Sequence, residues 1–257
     1  MFAISTLSQA EIWHDGCLTS TTDNKAFADL PLNALKFPDL PDHQEFTLPE
    51  FGEVADQSLV VTQDLSEIRL ASLTAYPFGG IYEFDSPLNT DHLRDVVKST
   101  GPTSLVMNLT SRTAFMRQMA RHYSKFLLTR VTLSEQSETD YAIVLQEAVA
   151  NAILHGNLEV ESASIPSGLS GLQDQYDLIE KRLSDDVLAS RRVGLTARWT
   201  TEELVTEVVN EGPGYEPRPR NPEPANAPRR GMALIESLTE RMVIDQNGRR
   251  ITFKIKR

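Results

Sequence analysis

The sequence has little that would cross-link, anchor or export the chain. Cys17 is the single cysteine among 257 residues, so the chain forms neither an internal disulfide nor a zinc site built from cysteines. No apolar run approaches the length of a membrane span. The amino terminus lacks the basic start and the long apolar core of a secretory signal. We therefore expect a cytoplasmic protein that does not enter a membrane.

Basic charge is also scarce. Lys and Arg number 25 against 36 Asp and Glu, and the formal net charge is -11. Because nucleic-acid phosphates are bound through basic surface, this charge argues against nonspecific DNA binding. The rest of the composition, with 40% hydrophobic and 24% charged residues, is typical of a globular protein with one large core or two modest ones. Two basic clusters run against the acidic trend: Arg218, Arg220, Arg229 and Arg230, and Arg249, Arg250, Lys254, Lys256 and Arg257.

An acid and an amide stand one helical turn apart in an otherwise apolar segment. The spacing of Glu147 and Asn151 places both on one face of a predicted helix, and Ile143 and Val144 are expected to make that face apolar. A carboxylate in such a setting costs free energy unless it binds something or takes part in chemistry. On this segment alone, two interpretations stay open. The pair is either hydrogen-bonded structure or a site that holds a divalent cation and positions a hydroxyl or water.

Two glycine motifs follow downstream. An apolar run ends in the turn formed by Asn210, Gly212 and Gly214, and Gly231 opens a helix directly after Arg230. Glycine lets the backbone approach a ligand closely, and the N–H groups at a helix start bind phosphate. Each motif is weak by itself. Their order, with an acid and amide helix, then a Gly-x-Gly turn, then a basic glycine-led helix, is far more specific.

This order of motifs resembles the ATP-binding domain of histidine kinases, gyrases and related chaperones. Within that group it looks most like the anti-sigma-factor serine kinases of bacterial partner-switching systems. The resemblance covers residues 101–257. It implies an α+β fold, a two-layer α/β sandwich of the histidine-kinase-like (Bergerat) type, with a smaller α/β module at residues 1–100. It also implies ATP and Mg²⁺ as cofactors.

The resemblance assigns roles to individual residues. Glu147 would be the catalytic residue that orients or deprotonates the attacking group, and Asn151 would bind Mg²⁺, which prefers oxygen ligands. Gly212 and Gly214 would lie against the adenine and ribose. Gly231 would expose the backbone N–H groups of a helix start to the triphosphate.

Further residues are implied in nucleotide binding by their places in the same motifs. Arg230, or Arg229 beside it, would add a charged fork to the phosphates. His155 either ends its helix or binds the nucleotide, and the structural role is the more frequent one for such a residue. Asn157 follows it closely. Ala233 stands where the family often has a second glycine.

Asn210 departs from the family pattern. The family has an aspartate there, which accepts a hydrogen bond from the adenine amino group. Asparagine accepts through its carbonyl oxygen, but it is uncharged and its amide can be turned the wrong way. Glu211 is adjacent, yet its side chain is expected to point to the opposite face of the strand. The sequence therefore predicts weak ATP binding or a loss of strict adenine selectivity.

Periodicity and turn residues predict the elements of the carboxyl-terminal part. The predicted strands are 104–109, 193–199, 204–210, 242–245 and 251–255; the predicted helices are 113–128, one after Ser134 that runs to 154, one near 172–183 within an insertion at 158–191, and 230–240. A hairpin turn is expected at Asn247 and Gly248. The proline-rich link at 216–228 is expected to be a mobile, extended lid.

The first hundred residues are less informative. Residues 1–57 lack sustained periodicity. Residues 58–100 predict a strand at 59–62, a helix at 65–75, a strand at 80–84 and a helix at 91–99. That order is similar to the last third of a receiver domain, but Ser86 replaces its lysine before Pro87, and no phosphoacceptor aspartate is evident. A degenerate receiver and an independent small α/β regulatory module both stay open.

Three functions compete at this stage. The first is an ATP-dependent protein-serine kinase that phosphorylates an antagonist protein and sequesters a sigma factor. The second is a partner-binding module of the same fold without catalysis. The third is the ATPase domain of a two-component histidine kinase, which is weakened because no convincing phosphoacceptor helix precedes the domain; His122 is expected to be structural or exposed. The expected partners are the antagonist and a sigma factor or other response-regulator protein, with no nucleic acid and no membrane, and a homodimer stays open.

Overall fold

The computed structural model describes residues 59–62, 65–74, 78–84, 89–160, 169–214 and 230–257. It also places three short strands nearer the amino terminus: β1 (Trp13–His14), β2 (Cys17–Leu18) and β3 (Ala34–Leu35). β1 and β2 pair antiparallel. The predicted lid at 216–228 lies outside the described residues, as do Ser86, Pro87, Arg218, Arg220 and Arg229.

A single mixed sheet organises the molecule. Its further strands are β4 (Leu59–Thr62), β5 (Gly80–Glu83), β6 (Ser104–Thr110), β7 (Arg192–Trp199), β8 (Glu203–Asn210), β9 (Arg241–Asp245) and β10 (Arg250–Lys256). Within the described residues, eight strands lie in the order β3-β4-β5-β6-β7-β8-β10-β9. The strands from β3 to β6 are parallel, and every pairing from β6 to β9 is antiparallel.

The helices agree closely with the predicted ones. They are α1 (Glu67–Leu73), α2 (Thr90–Val97), α3 (Ser111–Met116), α4 (Met119–Leu128), α5 (Glu135–Ala150), α6 (Leu169–Leu183), α7 (Asp186–Ala189) and α8 (Arg230–Leu238), with a π-helical turn (Asn151–Asn157) after α5. Ser134 caps α5, because its side chain accepts a hydrogen bond from the Ser137 N–H at 3.1 Å. In the described part of the chain, no helix combines the length and apolarity needed to span a membrane.

Two details differ from the predictions. The helix predicted at 113–128 is two helices, because Gln118 adopts a left-handed conformation (φ 48°) between α3 and α4. The apolar stripe continues across this break, so periodicity alone does not reveal it. Ile143 is 39% exposed although it was expected to crowd an apolar face, whereas the adjacent Val144 is fully buried. Neighbouring helical positions point in different directions, and only Val144 faces the sheet.

The core lies between the sheet and the helices that cover one of its faces. Tyr141 on α5 and Tyr123 on α4 are both fully buried. The Tyr123 hydroxyl donates to the Leu105 carbonyl at 2.8 Å, and the Tyr141 hydroxyl lies 3.3 Å from Thr206 Oγ1. Burial raises the pKa of both phenols, so both remain neutral. The fold is therefore α+β, a two-layer sandwich, as predicted.

The sheet continues across residue 100. β5 pairs in parallel with β6, where Gly80 lies opposite Val106. A carbon atom at Cβ of residue 80 would overlap the Val106 carbonyl oxygen, so this close approach requires glycine. Strand and helix order from β4 to α2 agrees with the prediction for 58–100. The division into modules at 1–100 and 101–257, and the receiver interpretation, stay predictions.

Candidate functional site

The packing of α5 against α8 brings the acid, the amide and the helix-opening glycine together. A Cβ atom on Gly231 would overlap the Glu147 carboxylate oxygen, and it would lie 3.5 Å from the Glu147 Cδ and 3.6 Å from the Asn151 Nδ2. Gly231 lies far along the sequence from the Glu147 and Asn151 pair. Gly231 leaves space that the Glu147 side chain uses.

The side chains of Glu147 and Asn151 make no hydrogen bond to an oxygen or nitrogen atom of the described chain. Both residues are half-buried. Among the described residues the Glu147 carboxylate has no hydrogen bond or ion pair, and Asn151 makes a single side-chain contact, from its Nδ2 to the Met232 sulfur at 3.5 Å. The amide oxygen of Asn151 therefore accepts nothing from the described chain. A half-buried carboxylate beside a free amide oxygen is an oxygen donor set of the kind that suits Mg²⁺.

No preformed metal cage accompanies this pair. In the ranges that the structure describes, no group of three or more His, Cys, Asp or Glu side chains is arranged to hold a metal ion. Mg²⁺ keeps several waters and is often bound through one or two protein oxygens together with substrate phosphates. Asn151, with Glu147 close by, fits that mode of binding.

A π-helical turn connects this helix to the glycine turn. The Leu158 N–H donates to the Ile153 carbonyl at 2.8 Å, which closes the wide turn after Asn151. A Cβ atom on Gly156 would lie only 2.6 Å from the Asn210 Cγ, and one on Gly212 would overlap the Gly156 carbonyl oxygen. Gly156 and Gly212 thus let the two backbone segments touch. Single π-helical turns of this kind are frequent at functional sites.

Asn210 is buried, and its amide orientation is fixed. Its Oδ1 accepts from the Gly212 N–H at 3.0 Å, and its Nδ2 donates to the Arg249 carbonyl at 3.2 Å. Turning the amide over would place NH₂ against an N–H donor and oxygen against a carbonyl. The predicted freedom of the amide to turn the wrong way is therefore removed by its neighbours. Asn210 stabilises the glycine turn, and a role in adenine recognition stays a prediction.

Gly214 has two reasons to be glycine. Its φ is +83°, which side chains rarely allow, and a Cβ atom there would overlap the Asn247 carbonyl oxygen. Asn247 belongs to the 3₁₀ turn Gln246–Gly248 that joins β9 to β10. The predicted hairpin turn at Asn247 and Gly248 is confirmed, and it packs against the glycine turn.

His155 and Asn157 have structural contacts. His155 is exposed, and its Nδ1 donates to the Val160 carbonyl at 2.6 Å. Asn157 is fully buried. Its Nδ2 donates to Ser111 Oγ (2.8 Å) and to the Arg192 carbonyl (2.9 Å), and its Oδ1 accepts from the Glu211 N–H (2.8 Å). Asn157 therefore connects three segments of chain at the glycine turn.

The remaining predicted residues lie on α8 or beside β8. Arg230 begins α8, and Ala233 is exposed on the same helix. Glu211 directly follows β8, and its Oε2 accepts from the Arg192 N–H on β7 at 2.7 Å. The Asn157 and Glu211 contacts were not predicted from the sequence, where a polar residue directly after Gly156 was the only signal.

A buried carboxylate was also missed. Glu83, at the end of β5, accepts from the Thr110 N–H (2.7 Å), from Thr110 Oγ1 (3.0 Å) and from Thr113 Oγ1 (2.5 Å). Burial raises the pKa of Glu83, and the threonine hydrogen bonds oppose that rise. Glu83 fastens β5 to the start of α3, next to Ser111. A lone acid in an apolar strand was its only signal in the sequence.

The two-layer sandwich carries a helix with an acid and an amide, a glycine turn and a glycine-led helix. Together these features define an ATPase-type nucleotide-binding domain. The family of the histidine kinase-like ATPase domain matches residues 109–255. The match covers more than half of the chain, and the chain belongs to this family. At this level it is an ATP-binding signalling protein, and the family implies Mg²⁺ with the nucleotide. No curated protein matches the chain.

Proposed function

We propose that this chain is an ATP-dependent protein-serine kinase of the cytoplasm. It phosphorylates an antagonist protein, and it binds a sigma factor or another response-regulator protein. The observation that carries the proposal is the half-buried Glu147 carboxylate, which has no partner in the described chain and lies against the glycine that opens α8. A half-buried carboxylate without a hydrogen bond to the described chain is free to bind water or an acceptor hydroxyl, and this freedom supports a catalytic use.

The chemistry assigned to this pair is phosphoryl transfer. The serine Oγ of the acceptor protein forms a bond to the γ-phosphorus of ATP, while the bond from that phosphorus to the bridging oxygen breaks and ADP leaves. Glu147 orients the hydroxyl and accepts its proton. The Asn151 amide oxygen would hold Mg²⁺, which when bound would supply positive charge beside the phosphates.

The start of α8 would bind the phosphates. Backbone N–H groups in the first turn of a helix have no partner within the helix, and the helix dipole favours an anion there. Gly231 keeps this turn free of a side chain beside Glu147. The acceptor hydroxyl, the carboxylate and the phosphates would then meet at one point between α5 and α8.

A partner-binding module without catalysis is the second candidate. It is favoured by Asn210, whose amide is bonded to Gly212 and Arg249 in place of the family's aspartate. The histidine-kinase alternative has no such support. His122 is buried, and its Nε2 lies 2.8 Å from Glu67 Oε1, so it is poorly placed to receive a phosphate.

Two measurements separate these candidates. The first is Mg-ATP binding by thermal shift and calorimetry, and the second is transfer of labelled γ-phosphate to a serine of a candidate antagonist. The kinase proposal expects binding and transfer, with transfer lost in Glu147→Ala and kept in the control Gln146→Ala, an exposed neighbour on α5. Binding without transfer would favour the second candidate. No binding at about 1 mM nucleotide, the upper end of ordinary substrate affinities, would contradict the kinase proposal and would likewise favour the second candidate.

A further inference from the structure

The sheet ends in an apolar edge strand. In the part of the chain that the structure describes, β9 has a neighbour, β10, on one side only. Met242 and Ile244 face the core beside the buried Phe253 and Ile251, yet both remain half-exposed. Val243, on the other face, is 38% exposed. An apolar edge strand of this kind is a template for pairing with another strand.

The hydrogen-bond pattern shows which backbone groups of β9 point outward. The Asn210 N–H donates to the carbonyl of Arg249, which directly precedes β10. Every second residue after Arg249 therefore directs its backbone groups to β8. The intervening residues Arg250, Thr252 and Lys254 face β9, and they pair with Asp245, Val243 and Arg241. Accordingly, the Lys254 carbonyl accepts from the Glu240 N–H on that side.

The residues of β9 that alternate with these paired positions direct their backbone N–H and C=O groups away from β10, toward the open edge of the sheet. In β9 they are Met242 and Ile244, one on each side of Val243. An antiparallel strand centred opposite Val243 would pair with both. The sequence Arg-Met-Val-Ile-Asp has its opposite charges at equal distances from that centre.

A second copy of β9 has the hydrogen-bonding groups and the charges needed to pair with this edge. In a two-fold antiparallel pairing about Val243, Met242 exchanges backbone hydrogen bonds with Ile244 of the second copy. Arg241 then lies directly opposite Asp245 of the second copy, and opposite charges so placed stabilise a sheet. A slip by one residue loses both ion pairs and turns the apolar side chains to the wrong face.

We propose that two copies of this chain pair through β9 and form one continuous sheet. The pairing covers the half-exposed Met242 and Ile244 and the exposed Val243. It also has a consequence for the nucleotide site, since α8 ends at Leu238 and β9 begins at Arg241. The helix that carries Gly231 therefore leads by a short connection into the dimer interface at β9. Through these two connections the interface links the nucleotide sites of the two copies.

The oligomeric state of the full chain tests this interface. Sedimentation equilibrium over a roughly hundredfold concentration range should show a monomer–dimer equilibrium. Val243→Lys places two ammonium groups at the two-fold axis and should raise the dissociation constant about tenfold or more. Val243 is already exposed, so the fold tolerates the change. Val187→Lys makes the same substitution at a position on α7 that is 72% exposed, and it should leave the dimer intact.

An exchange of charges at positions 241 and 245 tests the register through a gain of dimerisation rather than a loss of it. Arg241→Asp alone places Asp against Asp, and Asp245→Arg alone places Arg against Arg, so each variant should be monomeric. An equimolar mixture pairs Asp with Arg at both positions and should form a mixed dimer. A misfolded variant cannot give this result. A chain that is monomeric throughout, a dimer insensitive to Val243→Lys, or a mixture that stays monomeric would each overturn the proposal, whatever the outcome for ATP.

Discussion

The Glu147 carboxylate oxygen lies so close to Gly231 that a methyl group at residue 231 would overlap it. The two residues are far apart in the sequence and belong to different helices. The acid's position thus depends on a residue that has no side chain.

Gly231→Ala is expected to separate stability from catalysis. The added methyl displaces only the end of a flexible side chain, and alanine favours the helix by about 0.5–1 kcal/mol relative to glycine. The melting temperature should hold or rise, while phosphoryl transfer falls about 10- to 100-fold because Glu147 is displaced. Ser237→Ala, at an exposed position of the same helix, is the control. A variant that transfers phosphate at the original rate would contradict the assigned role of Glu147.

Gly156→Ala is expected to destabilise the contact between the π-helical turn and the glycine turn. Its Cβ would lie 2.6 Å from the Asn210 Cγ, and overpacking of this kind costs about 1–3 kcal/mol. Urea denaturation measures the loss. Gly101→Ala is a matched control, because the nearest atom to its Cβ would be Ser104 Oγ at 3.7 Å. Equal stabilities of the two variants would refute the close packing described for Gly156.

Asn157→Ala is expected to lower both stability and nucleotide affinity. It removes three hydrogen bonds, to Ser111, Arg192 and Glu211, and leaves buried polar groups without partners. The cost should be about 2–4 kcal/mol. ATP affinity should fall as well, because the hydrogen bond from the Glu211 N–H to the Asn157 side chain holds the glycine turn in place. The exposed amide Gln173 supplies the control Gln173→Ala, which should change neither quantity.

Glu83 predicts a pH dependence with a defined sign. Burial raises the pKa of Glu83 above its ordinary value of 4.5. The folded state therefore holds this proton more tightly than the unfolded state. Its stabilising contribution is complete below pH 4.5 and is lost as the pH rises through the raised pKa.

The test compares the wild type with Glu83→Gln, which cannot titrate. The free energy of unfolding of the wild type minus that of the variant should decrease as the pH rises from below 4.5. Denaturant melts at a series of pH values measure this difference, and other titrating groups cancel in it. A difference that increases with pH would reverse the assigned direction of the pKa shift.

Local sequence patterns predicted the elements of the site well. The Ser134 cap and the turn signal at Asn247 depend on neighbours close in sequence, and each lies where it was expected. Gly156, expected beyond the end of its helix at residue 154, lies within the π-helical turn. The left-handed Gln118 and the π-helical turn were not predicted, because an unbroken apolar stripe does not report a local change of backbone. The contacts of Asn157 and Glu83 were missed for another reason: their partners are distant in sequence, so only the folded sheet brings them together.

The Arg249 carbonyl receives both the backbone N–H and the side-chain Nδ2 of Asn210. An aspartate at position 210 would turn a carboxylate oxygen toward that same carbonyl, and two acceptors repel each other. Changing Asn210 to the residue usual in the family is therefore not a one-step reversion in this chain. The start of β10 would have to shift at the same time, so any redesign of the pocket at position 210 has to move the backbone at Arg249 as well.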